Sequence, residues 1–228
     1  MAEVSFLKID RVSKRYGRSG TRFVFSGLSA AIGSREIAVL SGPSGSGKTT
    51  LLNLIGGLDR LDEGSIRCAG TEVSALSEKR RAVWRARNMG YIFQHHLLPR
   101  GLTALETVLG PLLWAAGENP ARARAAAVDA LASVGLGDHA KMRVERLSGG
   151  QRQRVAIARA VALQPRLLLA DEPTAHLDRR TAGEIAGVLV AQARERGATL
   201  IVVSHEAGHQ GWTPDRRFVL DEGTLAEC

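Results

Sequence analysis

The sequence predicts an α/β fold: a mainly parallel sheet covered on both faces, with a small helical subdomain inserted into it. Three observations lead there. Short uninterrupted apolar runs, the mark of strands buried on both sides, recur at 37–40, 167–170 and 200–203. Helical patterns alternate with them. Between about 97 and 147 that alternation stops and only helical patterns remain.

The strand at 37–40 leads into a glycine-rich stretch and then a helix over 49–55, which Gly56-Gly57 ends. In the helical segment, Leu105, Val108, Leu109, Leu112 and Leu113 repeat at i, i+3, i+4, i+7 and i+8. That is one apolar helix face, with Pro111 expected to kink it. Asn119-Pro120 supplies an N-cap and a first helical residue, and Gly135 ends that second helix. A segment this long is no plain loop. A helix over 151–163 stops before Pro165, and one over 178–196 is ended by Gly197 ahead of the last apolar run. No internal repeat interrupts the pattern. The 228 residues suit one domain, with a core of 1–94 and 148–228 and a helical subdomain at 95–147.

Hydrophobic residues make up 44% and charged residues 24%, a globular composition that excludes intrinsic disorder. No stretch reaches the roughly 20 apolar residues of a membrane span. The most apolar one, 102–116, carries Glu106 and Gly110-Pro111. The first residues lack the basic-then-apolar pattern of a signal peptide. Cys68 and Cys228 sit in no metal or redox spacing, so a reducing, cytoplasmic location is expected. The net charge of +8 comes from 31 basic residues, only five of them lysine. The densest cluster, Lys79-Arg80-Arg81 with Arg85 and Arg87, falls on one helical stretch rather than a tail. We read it as a solvated, arginine-rich face, ahead of a membrane-facing surface and well ahead of a nucleic-acid site.

Gly42-Pro43-Ser44-Gly45-Ser46-Gly47-Lys48-Thr49 matches G-x-x-x-x-G-K-[ST] between a strand and a helix. Its glycines let backbone N–H groups turn inward around anionic oxygens, and the helix N-terminus adds its dipole. Lys48 is expected to reach the β and γ phosphates and the Thr49 hydroxyl to ligate Mg²⁺. Leu167–Ala170 is followed by Asp171-Glu172. An acid ending a buried strand lies at the sheet's carboxyl edge, where Asp171 would hold magnesium and Glu172 would polarise the attacking water. Leu147-Ser148-Gly149-Gly150-Gln151 opens a helix: Ser148 caps it and Gln151 completes a capping box. Two consecutive glycines are poor caps, however, and their bare N–H groups suit a second anion.

These three motifs in this order resemble the ABC (ATP-binding cassette) ATPases, and the resemblance covers essentially the whole chain. It implies a P-loop NTPase core with an N-terminal antiparallel β region, an ATPase activity, and ATP and Mg²⁺ as cofactors. It implies that Tyr16 stacks on adenine and that Gln94, in Tyr91-Ile92-Phe93-Gln94, senses the magnesium and γ-phosphate. It also implies that Asp178 communicates between two sites and that His205, in Val202-Val203-Ser204-His205, contacts the γ-phosphate. Thr50, Ser148, Gly149, Gly150 and Gln151 join the nucleotide-binding set, and Gln94 joins Thr49 and Asp171 at the metal. Two copies are then expected to close on two ATP, each phosphate loop facing the other chain's Ser148-Gly149-Gly150. A separately encoded transmembrane permease would be the partner, at the cytoplasmic face of the inner membrane, with no direct nucleic acid.

Gly57-Leu58-Asp59-Arg60, Gly64-Ser65-Ile66 and Gln94-His95-His96-Leu97-Leu98-Pro99 are similar to the branch of lipoprotein-releasing, macrolide-exporter and cell-division cassettes. Three places depart from it: Val144 and Arg146 ahead of Leu147-Ser148, His176 before Leu177-Asp178, and an extra residue in Gly33-Ser34-Arg35-Glu36. An ABC ATPase acting on nucleic acid or the ribosome is the alternative. Such chains carry a long coiled-coil insertion or two cassettes, and this one has neither between Gln94 and Ser148. A small-molecule kinase would have no use for the Leu147–Gln151 motif.

Overall fold

The computed structural model describes residues 5–17, 22–115, 119–204 and 211–228. Two long strands, β1 (Leu7–Tyr16) and β2 (Arg22–Ile32), pair antiparallel and are followed by β3 (Ile37–Ser41) and α1 (Lys48–Ile55). Then come β4 (Glu63–Cys68), β5 (Thr71–Glu72), α2 (Glu78–Asn88) and β6 (Met89–Ile92). The helices α3 (Ala104–Ala115), α4 (Pro120–Ser133) and α5 (Gly149–Val161) lead to β7 (Leu167–Asp171), α6 (Arg179–Arg196) and β8 (Thr199–Val203). The chain closes with β9 (Arg216–Asp221) and β10 (Thr224–Glu227).

One sheet is antiparallel, in the order β2-β1-β4-β5, and the other runs β10-β9-β3-β8-β7-β6. In the second sheet β9, β3, β8, β7 and β6 are parallel, and only β10 is antiparallel to its neighbour. Alternation along the strands shows why β3, β7 and β8 read as unbroken apolar runs. Ile37, Val39, Leu168, Ala170, Leu200 and Val202 face a core shared with α3 to α6. Ala38, Leu40, Leu167, Leu169, Ile201 and Val203 face a second core shared with α1 and the antiparallel sheet. With both pleat faces buried, the middles of these strands are apolar, and polar residues stand only at their ends: Ser41, Asp171 and Thr199. The second face is covered mainly by another sheet, whose strands mix exposed and buried positions.

The helix predicted over 151–163 begins at Gly149 and ends at Val161, because the Ser148 cap starts it earlier and Gln164, at φ 51°, turns the chain before Pro165. Gly197 ends α6 in the left-handed region, φ 63°, as its residue type predicts. Asn119 caps α4 by accepting from the Ala121 N–H, with Pro120 at the first helical position. α3 is assigned continuously through Pro111. The basic cluster on α2 is partly structural: Arg81 is buried and donates to the Asp59 carbonyl and to Glu78, and Arg85 donates to the Gly57 carbonyl. Cys68 lies buried in β4, and burial pushes its thiol up to about 12, so it stays an unreactive thiol. No helix among the described residues is long and apolar enough to cross a membrane.

Candidate nucleotide site

The loop between β3 and α1 is shaped by glycines at positive φ: Gly42 at 146°, Gly45 at 80° and Gly47 at 102°. Two of these are also fixed by contact. A Cβ on Gly42 would stand 2.1 Å from the Leu220 carbonyl oxygen, and one on Gly47 would stand 2.4 Å from a Val24 methyl. A Cβ on Gly45 would meet nothing within 4 Å. The loop is therefore held at both ends and open in the middle. α1 has no side-chain cap and no acidic residue in its first turn, which leaves its N–H groups and dipole for an anion. Lys48 is 5% exposed, and its ammonium donates to the carbonyls of Gly42 (2.9 Å) and Pro43 (2.8 Å). Those bonds hold the charge at the centre of the loop. Burial pulls the Lys48 pKa below the usual lysine value, opposed by the nearby carboxylates of Glu172 and Asp171.

Neighbouring strand ends bring the acids to this loop. Asp171, 6% exposed, ends β7, and its Oδ1 accepts from the Thr49 hydroxyl at 3.1 Å. Glu172 follows at φ 46°, a left-handed conformation that is strained for a side chain with a Cβ. Its N–H donates to the Val203 carbonyl at 3.0 Å, which extends the pairing of β7 with β8 past the strand end. The Glu172 carboxylate accepts from Gln94 Nε2 at 3.0 Å. Gln94 stands two residues beyond β6, the strand next to β7. A cavity of about 780 Å³ opens here, lined by Tyr16, Phe25, Ser46, Lys48, Thr49, Thr50 and Glu172 among others.

Tyr16 ends β1 on the wall of this cavity, 45% exposed. Its phenol donates to Asp59 Oδ2 at 2.6 Å. Burial first, and then that bond, raise the phenol's pKa and keep it a donor. The sequence pointed to Tyr16 but not to the walls around it. Phe23, Phe25 and the turn at Glu222-Gly223 between β9 and β10 also line the cavity. Their only local signal was a Glu-Gly turn pair.

The predicted residues outside this cavity are as informative. Ser148 caps α5 by accepting from the Gln151 N–H at 3.2 Å, while Gln151 Oε1 accepts from the Ser148 N–H at 2.9 Å. Gln151 Nε2 lies 3.1 Å from His139 Nε2, so both ends of that amide serve the fold. A Cβ on Gly150 would stand 2.7 Å from the Thr181 methyl, so the second glycine is what allows α5 to lie on α6. Asp178 caps α6, accepting from the Thr181 N–H at 3.1 Å. The hydrogen bonds from Thr181 hold its carboxyl below the usual aspartate value. None of Ser148, Gly149, Gly150 and Asp178 lines the cavity that holds Lys48. His205 lies outside the described residues.

The oxygens of Thr49 and Asp171 suit Mg²⁺, a hard cation that keeps several waters and takes one or two carboxylates plus substrate phosphates. No group of three or more His, Cys, Asp or Glu gathers into a metal cage among the described residues.

Comparison with known proteins matches this geometry. The family model described as "ABC transporter" matches residues 25–175. The lipoprotein-releasing system ATP-binding protein LolD of Geobacter metallireducens is 43% identical over 225 residues, covering 95% of this chain and 99% of that one. Its counterpart in Alcanivorax borkumensis is 41% identical over 203 residues, 89% of this chain and 88% of that one. The dimeric post-hydrolysis state of the ATP-binding cassette MJ0796, bound to ADP and Pi, superposes with a TM-score of 0.86 at 34% identity over 97% of each chain. Because sequence, fold and phosphate-loop geometry agree over nearly its whole length, the chain belongs to the ABC transporter family, as one of its ATP-binding cassettes, and it hydrolyses ATP with Mg²⁺.

Proposed function

We propose that this cassette powers a lipoprotein-releasing complex, two copies closing on two ATP at the cytoplasmic face of the membrane beneath a separately encoded permease. The observation that carries the two-copy arrangement is the separation of the motifs. The cavity holding the phosphate loop, Lys48 and Glu172 does not include the exposed Ser148 or the Gly149-Gly150 pair. A glycine-rich helix N-terminus outside a chain's own cavity suits an anion held by another copy, and an isologous pairing makes two such composite sites. The names of the LolD relatives support the lipoprotein-releasing assignment, and the dimeric MJ0796 structure supports the pairing.

Within each composite site the chain's own groups divide the work. The backbone of residues 42–49, with Thr50 behind it, cradles the phosphates, and Lys48 brings a positive charge to the β and γ oxygens. Thr49, Asp171 and Gln94 would hold Mg²⁺, which would supply positive charge against the phosphates. Glu172 takes a proton from the attacking water, and its bond from Gln94 aims the carboxylate. His205 contacts the γ-phosphate, and Tyr16 stacks on adenine. Ser148, Gly149, Gly150 and Gln151 meet the other chain's γ-phosphate, with Asp178 at the junction. The core comprises 1–94 and 148–228, and the subdomain 95–147. The subdomain exposes Leu97, Leu102, Leu113, Trp114, Val128 and Met142, an apolar surface that suits the permease.

Mixing two defective chains tests the pairing. Ser148→Arg leaves the phosphate loop intact and blocks closure on a partner, while Lys48→Ala disables its own loop and keeps its signature. Each alone should lose nearly all ATPase activity. A mixture should recover measurable turnover, below half of wild type, from the one composite site that has both parts intact. The pairing fails if Ser148→Arg hydrolyses ATP normally as a monomer at every concentration.

A further inference from the structure

We propose that Asp59 and Lys14 form a clamp that fixes the Tyr16 ring at a set distance from the phosphate loop, making both of them positioning residues for base recognition. The inference rests on Tyr16 being the adenine-stacking residue.

Lys14 and Tyr16 lie two apart on β1 and so project from the same face of the strand. Lys14 is 7% exposed, and its ammonium stands 4.7 Å over the Tyr16 ring centroid. The same ammonium donates to Asp59 Oδ1 at 3.0 Å and to the Arg60 carbonyl at 2.6 Å. The other oxygen of Asp59 takes the Tyr16 phenol at 2.6 Å. One carboxylate thus ties the ring's hydroxyl edge to the cation on its face. Tyr16 lines the cavity and Lys14 does not; in the clamp, Lys14 backs one face of the ring and leaves the other for the base. A cation on the far face also favours the stack electrostatically, since it is attracted to the ring's electron-rich surface and holds the ring flat against it.

The clamp is anchored to the phosphate loop through α1. The N–H groups of Leu58 and Asp59 both donate to the Asn53 carbonyl, at 2.8 and 3.2 Å, locking the turn onto the end of α1, whose first residue is Lys48. The Asp59 carbonyl accepts from the buried Arg81 at 3.2 Å, and Arg81 is in turn held by Glu78 at 2.8 Å. A short rigid helix therefore connects the carboxylate that aims the base platform with the loop that holds the phosphates. The distance between base and triphosphate sites becomes a property of α1 rather than of the exposed end of β1. Holding a ring in place before binding reduces the ordering cost of the contact.

The experiment compares a ligand that has a base with one that lacks it, on the purified full chain. ATP and inorganic tripolyphosphate are each titrated against a fluorescent nucleotide, and KM and kcat are measured separately. Asp59→Ala should weaken ATP about fivefold, the scale of one lost stacking contact, and leave tripolyphosphate unaffected. Lys14→Met, which keeps the apolar stem, should weaken ATP about twofold. Asp59→Asn keeps an oxygen for the phenol and should fall between wild type and Asp59→Ala. The loss should appear in KM rather than kcat, and adding Asp59→Ala to Tyr16→Ala should cost nothing more than Tyr16→Ala alone. The clamp is overturned if Asp59→Ala binds ATP like wild type, weakens tripolyphosphate equally, or adds its full loss to that of Tyr16→Ala. If Asp59→Ala does not fold, the same comparison on Lys14→Met and Asp59→Asn decides. A Tyr16→Ala chain with unchanged ATP affinity would instead sink the adenine platform itself, whatever Asp59 does.

Discussion

Glu172 occupies a position that residue type alone would not favour. It stands at φ 46°, where a Cβ is strained, and is held there by its N–H bond to Val203 and its carboxylate bond from Gln94. Strain retained beside a phosphate loop points to chemistry rather than to fold. Glu172→Gln keeps the shape and removes the base. We expect ATP affinity within about twofold of wild type and hydrolysis at least about a hundredfold slower, in line with typical general-base effects. A phosphate-release assay checks it, and near-normal turnover would remove Glu172 from that role. At this scale the sequence was informative where a motif has one chemical solution. Lys48, Thr49 and Asp171 stand together as their spacing implied. The Gln151 side chain is engaged with Ser148 and His139, which shows the capping role that its place in the sequence predicts.

Among the elements, α5 links the two halves of the chemistry. It starts at the Ser148 cap, buries Val155, Ile157, Ala158 and Val161, and reaches Arg159. The Arg159 guanidinium donates to the carbonyls of Leu97 (2.7 Å) and His96 (3.0 Å), just beyond Gln94. Its far end presses on β6, where a Cβ on Gly90 would stand 2.3 Å from the Ala160 carbonyl oxygen and 2.9 Å from a Leu168 methyl. Backbone cannot yield as a side-chain tip does. Gly90→Ala should therefore cost about 1–3 kcal/mol in urea denaturation, the range of overpacking, and slow hydrolysis by shifting Gln94. A variant as stable and as active as wild type would mean that β6 and α5 are free to part. The sequence revealed α5 as a helix but not this contact, because Gly90 carries no local signal of its own.

For the whole molecule, six of the ten large exposed hydrophobic residues among those described fall between Leu97 and Met142, with Trp114 93% exposed near the end of α3. A permease seated there would cover them, away from the cavity that Tyr16 and Lys48 line. Leu113→Ser with Trp114→Ser should leave basal ATPase within about twofold and abolish co-purification with the membrane partner from detergent extracts. Retained co-purification would move the partner surface elsewhere. The departures at Val144 and Arg146 do not bear equally on such a surface, since Val144 is buried and only Arg146 is exposed.

By itself the sequence determined whatever depends on near neighbours in the chain. Apolar runs identified β3, β7 and β8, caps and stop signals placed α4, α5 and α6 to within two residues, and the 42–49 loop announced its ligand. Each of these is set by local sterics, backbone hydrogen bonding or burial on both faces, which leave a signature in consecutive residues. Only the tertiary structure decided that the second face of the parallel sheet is covered by an antiparallel sheet. β1, β2 and β4 mix exposed and buried positions irregularly and shift register at bulges, so their pattern is weak along the chain. It also decided that Asp59, 43 residues from Tyr16, holds its phenol, and that the Ser148 motif lies outside the cavity of its own Lys48. Such pairings are chosen by how whole layers pack, a contact between residues remote in sequence that no local rule encodes.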